Sequence, residues 1–140
     1  MQKLHAIASA TRTTDEFISY IEYVSQRTSF SARDLANKIY KAAMTKYDAT
    51  IRGRVDAIKV NTDSVADQMY SVKAFARKYG VASDYTFYLE RLVLSGERFD
   101  MTSALNQLAE SAITMYDMRL RRKIDTATGI TIIGGYKDAV

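Results

Sequence analysis

The sequence predicts an all-α fold, an antiparallel bundle of five to six helices joined by short turns. Three observations carry that expectation. The chain has no proline, so nothing in it is barred from a helix interior. Of its 6 glycines, Gly53, Gly80 and Gly96 punctuate the long stretch before residue 129, and Gly129, Gly134 and Gly135 crowd the end. Between those points apolar residues recur three and four positions apart, the spacing that lines one face of a helix.

The elements follow in order. Residues 1–13 show no sustained stripe and read as an N-terminal tail. Thr13 and Glu16 have capping-box spacing, and Phe17, Tyr20, Ile21 and Val24 follow as a helix over about 14–27. Ser31 reads as the next cap, with Asp34 in the first turn. Leu35, Ile39, Ala43 and Tyr47 form its stripe, and Val55 and Ile58 extend it to about residue 59, with a weak point at Gly53.

Asn61 to Ser64 is a turn and cap cluster. Val65, Met69, Val72, Ala76 and Tyr79 then stripe a helix closed by Gly80, the position where a left-handed residue ends many helices. Ser83 opens the next helix, with Tyr85, Tyr88, Leu89, Leu92 and Val93 inward and Gly96 at its end. Asp100 or Thr102 caps the last one, striped by Leu105, Leu108, Ala109, Ala112, Ile113, Tyr116, Leu120 and Ile124. The pattern stops after Thr126. Residues 14–125 therefore form the helical domain, and residues 126–140 a glycine-punctuated apolar tail.

Composition removes several functions. A chain of 140 residues with 47% apolar and 26% charged side chains is one ordinary globular domain by size and balance. The absence of cysteine excludes disulfides, thiolate metal sites and cysteine nucleophiles, and fits a reducing compartment. Residues 1–12 lack the apolar core of a secretory signal, and no run approaches the ~20 apolar residues of a membrane span. The net charge of +4 is mild, with cations and anions interleaved, which argues against nucleic acid as the partner.

Candidate chemistry is sparse. The single histidine, His5, lies in the expected tail with no base, orienter or nucleophile near it in sequence, and reads as a solvated side chain. Glu90 and Glu97 are two turns apart only if the helix runs through Gly96. No segment resembles a calcium loop or a phosphate-binding glycine loop. Neither a catalytic residue, a cofactor nor a metal site is expected.

Two features stand out instead. The first is 10 tyrosines spread over the whole chain, which fit either boundary positions with the ring inward and the hydroxyl in water or a contact surface. The second is the basic run Arg119, Arg121, Arg122 and Lys123. It fits an interaction with the negative end of the last helix, contact with phosphates, or the cytoplasmic flank of a membrane span. Ile130, Ile132 and Ile133 suit the start of such a span, while Lys137 and Asp138 turn the chain polar again.

The segment from Tyr85 to Ala109 resembles the second half of the cytoplasmic domain of the inner-membrane platform proteins of type II secretion and type IV pilus assembly. There a helix ends in a Gly-Glu pair, a short turn follows, and a Leu-x-x-Leu-Ala helix with a long charged tail comes next. Gly96-Glu97, then Leu105, Leu108 and Ala109, then residues 110–123 keep that order. Phe17 to Val24 and Ser29 to Ala36 are similar to the family's opening helices. The turn between them departs from it, with Arg27-Thr28-Ser29-Phe30 where the family has glycine, often with proline.

The resemblance covers about residues 14–125. It implies a scaffold without a reaction of its own, at the cytoplasmic face of a bacterial inner membrane and attached through neighbouring spans. The implied partners are an assembly ATPase, other inner-membrane assembly proteins and a second copy of the chain. Gly96, Glu97 and Arg98 then form the contact turn, and Arg119 to Lys123 the membrane-proximal end. Glu97 also fits a simpler role, a carboxylate serving the backbone at the start of the final helix. A small helical nucleic-acid-associated or viral structural protein is the alternative, with the same basic run on phosphates. A third reading is an enzyme with a carboxylate metal site.

Overall fold

The computed structural model describes residues 2–26, 29–61 and 64–136. Among the described residues it is an all-α helical bundle with six helices and no strand. They are α1 (Gln2–Ala10), α2 (Thr14–Ser25), α3 (Ala32–Asn61), α4 (Val65–Lys78), α5 (Ala82–Ser95) and α6 (Met101–Thr128). The chain divides into two compact units: residues up to Tyr47 and from Tyr116 onward form unit 1, and Asp48–Met115 form unit 2. Helices α3 and α6 each contribute one portion to each unit.

In unit 1, the expected N-terminal tail is instead a helix. Leu4, Ile7 and Ala8 of α1 are buried, and α1 packs on α2. The helix stops without a glycine. Arg12 takes a left-handed φ of 60°, the Thr13 amide donates to the Ala8 carbonyl at 2.7 Å, and the Arg12 amide donates to Ser9 at 3.3 Å. This is the Schellman pattern with arginine where glycine is usual. The Lys46 ammonium, 2.7 Å from the Arg12 carbonyl, holds the same turn from α3.

That turn also undoes the expected capping box. Thr13 is fully buried, and its hydroxyl faces back, 2.9 Å from that of Thr11 and 3.4 Å from the Ala8 carbonyl it donates to. It makes no side-chain cap to α2. Glu16 pairs with Lys46 at 3.1 Å.

The start of α3 forms as its sequence predicts, with the Asp34 amide donating to the Ser31 hydroxyl at 3.2 Å. Leu35, Ile39 and Ala43 are buried, joined by Tyr40 and Met44. The buried Tyr20 ring of α2 reaches the same turn. Its hydroxyl donates to the Ser31 carbonyl at 3.0 Å and accepts from the Ser31 amide at 3.1 Å. Tyr47 and Tyr116 stack face to face with centroids 3.9 Å apart and planes at 4°.

In unit 2, α3 continues through Gly53 without a break, so the expected weak point does not interrupt it. Ser64 caps α4, accepting from the Asp67 amide at 3.1 Å. Val72, Phe75 and Ala76 are buried, but Val65, placed inward by the stripe, is exposed. A second Schellman pattern ends α4: Gly80 has φ 72°, and the Val81 amide donates to Ala76 at 2.8 Å. The buried Val81, not Ser83, then takes the cap position of α5, which has no side-chain cap.

Helix α5 turns Tyr85, Tyr88 and Leu92 inward and leaves Val93 outside, against expectation. Asp100 is the cap of α6: its carboxylate accepts from the Thr102 amide at 3.1 Å and the Ser103 hydroxyl at 2.7 Å. Leu105, Leu108, Ala109, Ala112 and Ile113 are buried along the portion of α6 in this unit.

A candidate contact surface on α5 and the Gly96 turn

The predicted contact residues divide between the two units, Gly96, Glu97 and Arg98 in unit 2 and the basic run in unit 1. Each set is built differently.

Gly96 ends α5 with φ 71°, and its amide donates to the Leu92 carbonyl at 2.9 Å. A β-carbon there would meet nothing within 4 Å, so the left-handed backbone, not crowding, selects glycine. The Glu97 amide donates to the Ser95 hydroxyl at 3.4 Å. Glu97 and Arg98 are both exposed. Asp100, not Glu97, serves the start of α6, so the capping role weighed for Glu97 belongs to Asp100. Glu97 also lies beyond the end of α5, so it continues no helical face with Glu90.

The helix leading into this turn carries an outward apolar line that spacing alone does not single out. Phe87 is 60% exposed, Val93 83% and Leu94 88%. Phe87 and Leu94 lie seven residues apart, two turns of helix, on the side opposite Tyr85, Tyr88 and Leu92. Val93 flanks them. The inner side is well fixed. The Tyr88 hydroxyl donates to the Asp100 carbonyl at 3.3 Å, and its ring meets Phe99 edge-on with centroids 6.2 Å apart. Arg91 spans to α6, donating to Gln107 at 2.9 Å. The outward apolar residues thus stand on a helix whose other face is anchored. A residue at Val93 satisfies the i, i+4 pattern with Leu89 as readily as Leu92 does with Tyr88, which is why its spacing points inward.

The basic run does not act as a unit. Arg119, Arg122 and Lys123 are exposed, but Arg121 is half-buried and its donors are taken. Its Nε donates to Asp117 Oδ1 at 2.8 Å, Nη2 donates to the Tyr40 hydroxyl at 2.8 Å, and Nη1 donates to the Ile132 carbonyl at 2.9 Å. The Gly134 carbonyl accepts from Nη2 as well. Tyr40 in turn donates to Asp117. Arg33 adds a bond to the Thr131 carbonyl at 3.2 Å, so residues 131–134 lie against α3 and α6 within unit 1, with Ile132 buried and Ile133 exposed. Lys137 and Asp138 fall outside the described residues.

The helix-end reading of this run also changes. Helix α6 extends to Thr128, and its last turn contains no basic residue. Arg119 to Lys123 therefore sit too far back to meet the terminal carbonyls, an interaction that fades within one turn.

The tyrosines separate in the same way. Tyr20, Tyr40, Tyr85 and Tyr88 are buried with their hydroxyls bonded, the boundary role. Tyr23 and Tyr70 are exposed. His5 packs its ring 4.9 Å from that of Phe17. Among the described residues no group of three or more acidic or histidine side chains is placed to hold a metal, and no helix is long and apolar enough to cross a membrane. No known protein family, curated protein or solved structure matches the chain.

Proposed function

We propose that this chain is a non-enzymatic scaffold module that works by protein–protein contact, with the outer face of α5 and the Gly96–Arg98 turn as its contact surface. The observation that carries the reading is the exposure of Phe87, Val93 and Leu94 on the helix leading directly into that turn. Large apolar side chains exposed close together mark interaction sites more often than those scattered singly. Glu97 and Arg98 supply the polar rim that surrounds such a contact.

The same turn carries the resemblance to the platform proteins of type II secretion and type IV pilus assembly. On that reading the partner is a cytoplasmic assembly ATPase, and the site of action is the cytoplasmic face of a bacterial inner membrane. Two features support a contact role in unit 2 over one for the basic run: the open α5 face, and the engagement of Arg121 within unit 1. That engagement leaves three exposed cations on α6 and weakens the alternative of a phosphate-binding stripe.

The test is a titration of the purified chain against the assembly ATPase encoded in the same genome. Binding is expected, and Val93→Asp with Leu94→Asp should weaken it at least ~10-fold, as loss of central apolar contacts does. Both positions are exposed, so the double variant should keep its helical circular dichroism. Binding unchanged by the double variant would move the contact elsewhere. No binding would remove the ATPase reading.

A further inference from the structure

A second surface in unit 2 has a different chemistry. The portion of α3 after Asp48 and the outer face of α4 line an open groove of about 410 Å³. Ala57, Ile58 and Ala74 give it an apolar lining, and the buried Phe75 also borders it. Tyr70 stands beside it, 76% exposed. Arg54 and Lys78 line the groove, and Lys73 and Arg77 continue it along α4. Tyr70, Lys73, Ala74, Arg77 and Lys78 are spaced i, i+3, i+4, i+7 and i+8, a single helix face. No carboxylate is among the described residues lining it. Asp67, one turn before Tyr70, lies outside the lining, its backbone amide bonded to Ser64.

The charge here is uncompensated. Arg54, Lys73 and Arg77 have no ion-pair partner among the described residues, in contrast to Arg52 on the same α3, which bonds Asp48 at 3.1 Å and Glu110 at 2.5 Å. Lys78 lies over the Tyr79 ring, 5.8 Å from its centroid. Four cations thus surround an apolar groove with no carboxylate among the described residues lining it.

We propose that this groove binds an acidic amphipathic helix of a partner protein. Apolar side chains spaced three and four residues apart would enter over Ile58 and Ala74, the helix-in-groove mode of recognition. Carboxylates flanking them would meet Arg54, Lys73, Arg77 and Lys78, so that charge selects the partner and its direction while burial holds it. A nucleic acid fits the site less well. Its phosphates suit the rim, but its bases would find one exposed ring, Tyr70, where single strands are held by successive stacking platforms. This inference concerns a face other than that of α5 and does not rest on the secretion or pilus resemblance.

The test uses the full chain and a fluorescein-labelled helical peptide of leucine, alanine and glutamate, with leucine along one face, read by fluorescence anisotropy. Binding is expected to fall at least ~10-fold when every peptide glutamate becomes glutamine, and to weaken as salt rises. Arg54→Glu with Lys78→Glu should abolish it. Lys73→Glu with Arg77→Glu, on the exposed rim, should weaken it with the circular dichroism melt unchanged. The glutamine peptide needs no protein variant, so a folding defect cannot mask the outcome. Equal binding of both peptides, no binding of either, or full binding by both variants overturns the proposal. So does a single-stranded oligouridylate that binds as tightly as the acidic peptide and displaces it, which would make the groove a phosphate site.

Discussion

The guanidinium of Arg121 meets Tyr40 twice, Nη2 donating to its hydroxyl at 2.8 Å and the guanidinium carbon lying 4.9 Å from the ring centroid. The two residues are 81 positions apart in sequence. Together with Asp117 they form the polar centre of unit 1, and through Arg121 the same centre holds residues 131–134. Arg121→Ala should therefore release that segment and leave Asp117 without its ion pair. A loss of about 1–3 kcal/mol is expected, with faster amide exchange over Ile130–Tyr136. Arg121→Lys should restore little, because an ammonium cannot bond in several fixed directions as the planar fork does. Hydrogen exchange followed by mass spectrometry checks both.

Tyr40 makes stability depend on alkaline pH. Burial and then the Asp117 carboxylate push its phenol up from 10.0 to about 12, with Arg121 pulling the other way. Between pH 10 and about 12 the unfolded chain releases a proton that the folded one keeps. The unfolded state then binds fewer protons, so stability falls as pH rises. The contribution is whole below pH 10 and gone above about 12. Tyr40→Phe should lower stability by about 1 kcal/mol at neutral pH, for its lost hydrogen bonds, and flatten this part of the alkaline decline. Urea melts of both proteins from about pH 8 to about pH 12 measure it.

Helix ends give a set of backbone predictions. Arg12 occupies a left-handed position and is exposed, so Arg12→Gly should raise stability by about 0.5–1 kcal/mol. Gly53 lies inside α3, and a β-carbon added there would meet nothing within 4 Å, so Gly53→Ala should add about 0.5–1 kcal/mol. Gly80→Ala should destabilise, since φ is 72° and the new β-carbon would stand 3.3 Å from Met115 Cε. Thermal melts rank the three.

Burial separates Leu105 from Leu94. Leu105 is fully buried, and Leu105→Ala should cost about 2–5 kcal/mol. Leu94 is almost wholly exposed, and Leu94→Ser should change stability by no more than about 0.5 kcal/mol. A denaturant series on both variants distinguishes a core position from an exposed one.

The helices of unit 2 were readable because their boundaries are local. Ser64, Gly80, Gly96 and Asp100 mark starts and stops by their own chemistry. The opening of unit 1 was not. Helix α1 offers one short stripe, Leu4, Ile7 and Ala8, and ends on an arginine held by Lys46, a residue 34 positions later in the chain. Spacing cannot announce a stop of that kind. The proposed contact surface was half readable. The Gly96-Glu97 turn has a sequence signature, whereas the outward set of Val93 required knowing which of two adjacent stripes α5 buries. Arg121 looked like its basic neighbours because its partners, Tyr40 and the carbonyls of residues 132 and 134, come from distant points of the chain.

If the α5 face and the turn after it are the contact surface, a bound partner shields their amides from exchange. Amide hydrogen exchange of the chain with and without the assembly ATPase tests it most directly. Added protection is expected at Leu94 to Arg98, the end of α5 and the exposed turn, with unit 1 unchanged. Protection confined to residues 119–123, or none at a concentration where the two proteins associate, would contradict it.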